Sequence, residues 1–139
     1  MINSHLLLAT CLKDVQCPLI HVENKTPDTH RLIKEAVKFI GFEYKELNLT
    51  TCYPMDIEEF LRSLPDRPGV LVFSEYDQAD AYIQDLINFT VLYYEYRIMI
   101  TSDSDVVPVS NKWKFVLLAK PDYWFNNSTV YQRSYHLSF

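Results

Sequence analysis

Glycine is nearly absent from this 139-residue chain: Gly41 and Gly69 are the only two. A backbone that wraps a phosphate must adopt positive φ and approach its ligand closely, and glycine is the residue that permits both. A glycine-rich phosphate loop is therefore excluded. Cysteine is sparse as well. Cys11, Cys17 and Cys52 are odd in number and form no CxxC pair. That composition points to free thiols in a reducing cytoplasm rather than a disulfide framework. Clusters of Lys and Arg are missing, and the net charge is -5. Nucleic acid and anionic membrane are thereby disfavoured as partners, because binding phosphates means displacing counterions with basic side chains. No uninterrupted apolar run approaches a membrane span. The opening MINSHLLLATCLKDVQ lacks a basic leader and a small-residue cleavage site, so it reads as a first helix, not a signal peptide. Without such a signal, the glycosylation-like triplets at Asn48, Asn88 and Asn127 are read as chance. His5, His21, His30 and His136 show no metal spacing with Cys or Asp, and neither metal nor cofactor is expected.

What is present describes a folded chain. Hydrophobic residues make up 48% and aromatics 14%, too many for disorder. The length suits one domain, residues 1–139, with a real core. Its most informative stretch is Gly69-Val70-Leu71-Val72-Phe73-Ser74-Glu75-Tyr76-Asp77. A short β-branched run bounded by turn residues predicts a strand buried on both faces, in the middle of a parallel sheet. The polar residues after it then lie at the carboxyl edge, where open α/β sheets bind ligands.

Around that strand the pattern alternates. A helix is predicted over about 3–14, followed by a strand at Cys17–Val22. Thr26-Pro27-Asp28 reads as a helix start, with Thr26 as cap and Pro27 in first position. The helix runs to Ile40 on a stripe of Leu32, Ile33, Ala36, Val37 and Ile40, and Gly41 ends it. A strand over Phe42–Leu49 and a helix opened by Pro54 come next. After the central strand, a helix spans Ala79–Tyr94. A hairpin pairs Arg97–Thr101 with Val106–Val109. Strands at Trp113–Ala119 and Ser134–Phe139 complete a three-layer αβα sandwich. Its central sheet has about five strands, mostly parallel, plus the hairpin insertion.

The segment GVLVFSEYDQADAYIQDLI resembles the Walker B strand and following helix of AAA+ ATPases. YYEYRIMITSDSDVVPVSNKWKFVLLAKPDYW is similar to the next part of the core in the MoxR-type and related branches. There a helix ends near a Glu-Arg-like pair (here Glu95 and Arg97), then a hairpin precedes the sensor 1 strand, here KFVLLAKP. RLIKEAVKFIGFEYKELNLTTC resembles the helix and second strand that come after a P-loop. The resemblance covers most of the chain through the order of its elements, and it implies a P-loop NTPase-like fold with degenerate motifs. The loop falls on Val22–His30, where Glu23 and Asp28 place negative charge. The position of the family's lysine falls near Thr29. An alternative register takes Lys25-Thr26 as the Lys-Thr pair, at the expense of an extra helical turn. Ser74 stands where the metal-binding aspartate would be, and Glu75 where the water-polarising glutamate would be. Lys120 stands near the polar sensor residue. Arg133 falls roughly at the arginine finger, and the helical lid is expected to be absent. Losing the lysine and the metal ligand together should abolish hydrolysis, which depends on charge positioned around the phosphoryl group.

The expectation is therefore a pseudoenzyme that works through a protein partner, as an adaptor or inhibitor of a ring ATPase or another chain, or through a second copy of itself. Tyr123, Trp124 and Phe125, with Arg133, are the candidate contact residues. Tyr and Trp are favoured at interfaces, although the same aromatics would also serve as repacked core. The alternative is a nucleotide-binding protein with an altered phosphate site built on Lys25 and Lys120. A thioredoxin-like reading of residues 17–49 fails because no Cys stands at the start of the helix, where a dipole would lower its pKa.

Overall fold

The computed structural model describes residues 4–13, 19–92, 98–100, 106–108, 112–123, 131–132 and 134–138. In chain order the elements are α1 (Ser4–Lys13), β1 (Leu19–Glu23), α2 (Thr29–Phe39), β2 (Glu43–Asn48), α3 (Pro54–Arg62) and β3 (Gly69–Ser74). A single 3-10 turn (Tyr76–Gln78) leads to α4 (Ala81–Leu92), β4 (Ile98–Ile100), β5 (Val106–Pro108), β6 (Trp113–Ala119) and β7 (Ser134–Leu137).

Five strands form one sheet in the order β2-β3-β6-β1-β7, every neighbouring pair parallel. The fold is the α/β sandwich that the alternation predicts, and its all-parallel five-stranded sheet is P-loop NTPase-like, as the resemblance implies. The central place goes to β6 and not to β3, which is nonetheless buried at all six positions. β3 from Val70 to Phe73 and β6 from Phe115 to Ala119 read as continuous apolar runs because both faces of the sheet are covered.

The two-residue side-chain period sorts these runs between two cores. Val70, Val72, Val116 and Leu118 face one side with Ile20 and Val22, under Leu8 and Leu12 of α1 and Ile33, Ala36 and Val37 of α2. Leu71, Phe73, Phe115 and Leu117 face the other, under Ile57 and Leu61 of α3 and Ile83, Leu86 and Ile87 of α4. The chain moves one way across the sheet from β1 to β2, then back through β3 to β6. A single crossover hand then puts α2 on one face and α3 and α4 on the other, as observed. The hairpin of β4 and β5 is antiparallel and forms a separate ladder, with Met99 opposite Val107.

Local chemistry sets the boundaries. α2 starts at Thr29, two residues later than the Thr26-Pro27 signal suggests, and Asp28 holds the cap position. Thr26 and Thr29 instead close a turn, with the Thr29 N–H donating to the Thr26 carbonyl at 3.2 Å. Gly41 ends the helix at φ 76°, a conformation that costs other residues a clash with Cβ. α4 begins at Ala81, because the 3-10 turn occupies the residues before it. Gly69 opens β3 directly against Trp113, and a Cβ there would lie 2.5 Å from the indole ring. That ring is fully buried, and its N–H donates to the Pro65 carbonyl at 2.8 Å. Among the described residues, no helix is long and apolar enough to cross a membrane.

Candidate functional site

The chain leaves β1 toward α2 on one face of the sheet. It leaves β6 toward the other face, where Tyr123 packs against the α3 and α4 core. Adjacent strands whose exits diverge in this way form a crevice at their carboxyl ends, the usual ligand position in an open α/β sheet. The register places Glu23 beside Ala119, and Phe73 beside Leu117. The ends of β1, β6 and β3 therefore bring the Glu23–Thr29 loop, Lys120 and the Ser74-Glu75 pair to one edge.

The loop after β1 satisfies its own backbone. The Asn24 N–H donates across the crevice to the Ala119 carbonyl at 2.7 Å, and the Lys25 N–H donates to the Glu23 carbonyl at 3.1 Å. The Asp28 N–H donates to Thr26 Oγ1 at 3.3 Å. With Thr29 bonded to Thr26, and Pro27 having no N–H, few amides in this loop are left to cradle an anion. The Lys25 ammonium lies 3.5 Å from the Glu23 carboxylate, so the charge a phosphate would use is already opposed by a carboxylate. Thr29 is buried in the first turn of α2.

Ser74 is 1% exposed, and its hydroxyl is turned sideways toward the Leu47 carbonyl of β2, 3.5 Å away. It does not face the crevice as a metal-binding carboxylate would. Glu75 adopts the left-handed conformation, φ 57° and ψ 36°, and only its backbone caps the 3-10 turn, through its carbonyl and the Gln78 N–H at 3.0 Å. Asp77, which carries no role in the motif resemblance, holds the edge together. One carboxylate oxygen accepts the Lys120 N–H at 3.0 Å, and the other accepts Gln78 Nε2 at 2.8 Å. The exit of β3 is thereby clamped to the exit of β6. The Lys120 side chain is exposed.

Tyr123 is half-buried. Its hydroxyl donates to Gln84 Oε1 at 3.2 Å, and its ring meets Tyr76 edge-on with centroids 5.8 Å apart. Gln84 in turn donates to the Tyr76 carbonyl at 2.9 Å, and the Tyr76 hydroxyl donates to Asn88 at 2.5 Å. Burial pushes both phenols above their ordinary pKa. Tyr123 is thus anchored in the core beneath α4. Trp124, Phe125 and Arg133, like Glu95 and Arg97, lie outside the described residues.

A titratable pair sits where β1 meets the edge strand β7. His21 Nδ1 and His136 Nδ1 are 3.0 Å apart, and His136 Nε2 lies 2.9 Å from the Tyr131 carbonyl. A carbonyl only accepts, so a neutral His136 carries its proton on Nε2 and takes the His21 Nδ1–H at Nδ1. Burial first, and then the neighbouring His136, bring His21 down to about 4, against the pull of Glu23.

An open cavity of about 430 Å³ lies at the same carboxyl edge but away from the crevice. The β2–α3 connection, with Cys52 and Tyr53, forms one wall. Gln78 at the end of the 3-10 turn, with Asp80 and Tyr82 at the entry to α4, forms the other. Burial raises the Cys52 thiol, which donates to the Asn48 carbonyl at 3.1 Å. The sequence signal for this site is two tyrosines beside the carboxyl edge, Tyr53 just before α3 and Tyr82 in the first turn of α4, neither of which carries a role in the resemblance. Among the described residues, no three His, Cys, Asp or Glu side chains converge to hold a metal ion. No protein-family model matches the chain, and no curated protein matches it either.

Proposed function

We propose that this protein is a non-catalytic, degenerate AAA+-type core that acts in the reducing cytoplasm as a protein-interaction module, an adaptor or an inhibitor. The observation that carries the reading is the Glu23–Lys25 ion pair in a crevice whose loop amides are bonded internally. An entering phosphate would meet a carboxylate first, and would have to separate it from Lys25 without gaining a ring of N–H donors in return. Phosphoryl transfer also relies on a positioned metal and lysine. Here the corresponding strand end offers a buried hydroxyl bonded toward β2. An intact fold around a self-satisfied site fits a chain selected for its surface.

The test is a calorimetric titration with ATP, ADP and GTP, with and without magnesium. The expected result is no saturable binding tighter than about 1 mM, equivalent to ~4 kcal/mol. Micromolar affinity that disappears in Lys25→Ala would establish the altered-site nucleotide binder instead, with Lys120 as the second cation.

A further inference from the structure

Among the described residues that line the 430 Å³ cavity, the one charged side chain is the Asp80 carboxylate, and no Lys or Arg is present. The two longer stretches that contain these lining residues, 46–61 and 68–92, carry eight of the eighteen acidic residues and none of the thirteen Lys and Arg. The remainder of the chain is net positive. Within this acidic region Tyr53 is 77% exposed and Tyr82 53% exposed, on opposite walls of one concavity. Asp80 caps α4 by accepting the Ile83 N–H at 2.9 Å and remains exposed at the rim. The volume falls within the range of sites that enclose a ligand group.

We propose that this cavity receives an arginine side chain from a basic segment of a partner protein. Guanidinium is weakly hydrated, stacks on aromatic faces and pairs with carboxylates, so a cavity flanked by Tyr53 and Tyr82 with the Asp80 carboxylate at its rim fits it. The surrounding charge would speed association and make it salt-dependent. This site lies apart from the β1–β6 crevice. It deepens the proposed function by naming the partner's chemistry, and it rests on the reading that the chain works through a protein partner.

The probe is a rhodamine-labelled nonapeptide of alternating arginine and serine, monitored by fluorescence anisotropy at low ionic strength. Saturable micromolar binding is expected. Tyr82→Ala should weaken it about fivefold, the worth of one partly exposed cation–π contact. Asp80→Asn keeps the helix cap and removes the charge, and should weaken binding similarly. Tyr82→Phe keeps the ring, and Glu35→Gln alters a carboxylate on α2 on the other face of the sheet, so both should bind as wild type does. Absence of binding overturns the proposal. So does equal weakening by Glu35→Gln and Asp80→Asn, which would mark unspecific charge attraction. Competition by spermine as effective as by unlabelled peptide would make the occupant a free polyamine, and would also overturn it. A failure here with no nucleotide binding removes this site and leaves the interaction module standing. Nucleotide binding by the wild type removes the reading beneath both.

Discussion

Two glycines show how differently the same substitution acts at single positions. Gly69 needs the absence of Cβ for space, because the Trp113 ring fills the place an added methyl would take. Gly69→Ala is expected to cost roughly 1–3 kcal/mol through overpacking, read as a lower urea midpoint. Gly41 needs its positive φ and has open space around it, so Gly41→Ala should cost only about 1 kcal/mol. His21 gives the residue scale its pH dependence. Its folded pKa, about 4, lies below the ordinary 6.5. Between those values the unfolded chain binds the proton that the native state refuses, so stability rises with pH. Descending from pH 6.5 to about 4, this group should remove up to ~1.4 kcal/mol per unit, with no contribution above that window. Urea unfolding of wild type and His21→Leu across this range should show the extra slope in wild type alone. Parallel curves would mean that the buried imidazole takes up its proton in the folded state. Neither the His21–His136 pair nor the Trp113–Gly69 contact is legible in the sequence, since each joins residues far apart in the chain.

The elements themselves are largely legible. β6 spans the predicted Trp113–Ala119, and β3 spans the predicted apolar run, because strands buried on both faces leave an unbroken pattern. The misjudged boundary is the entry to α2, where Thr26-Pro27 forms a turn that carries the same residue signature as a helix cap. The 3-10 turn before α4 blurs the start of that helix for a similar reason. Its role becomes clear only through Asp77, which accepts the backbone N–H of Lys120 across 43 positions in sequence. This clamp couples the exit of β3 to that of β6. Asp77→Ala should destabilise the protein by roughly 1 kcal/mol and speed hydrogen exchange at the Lys120 amide far more than at amides in the middle of β6. Uniform acceleration along β6 would show that the bond contributes to global stability without holding the edge. The sequence pattern places Ser74 and Glu75 at this edge, where the structure has them. The sideways turn of the Ser74 hydroxyl toward β2 leaves no trace in the pattern, because orientation depends on the neighbouring strand.

At the scale of the whole molecule, topology and charge separate two regions of one sheet edge. The crevice between β1 and β6 has the position of a ligand site in an open α/β sheet, yet its loop is closed by its own hydrogen bonds and its lysine is paired. The acidic, tyrosine-flanked cavity lies on the β2 side of the same edge and is open. The scarcity of glycine argues from composition against a glycine-rich loop in the first region, while the hydrogen bonds and the ion pair that close it leave no trace in the pattern. The second is hidden because its walls come from segments that meet only in the folded state. The claim that the crevice is filled by the protein's own groups is tested most directly by thermal unfolding with and without millimolar MgATP. A ligand present at 100 times its dissociation constant adds about 2.7 kcal/mol to stability, which would raise the midpoint by several degrees. The account predicts an unchanged midpoint. A rise of several degrees with MgATP, abolished in Lys25→Ala, would contradict it.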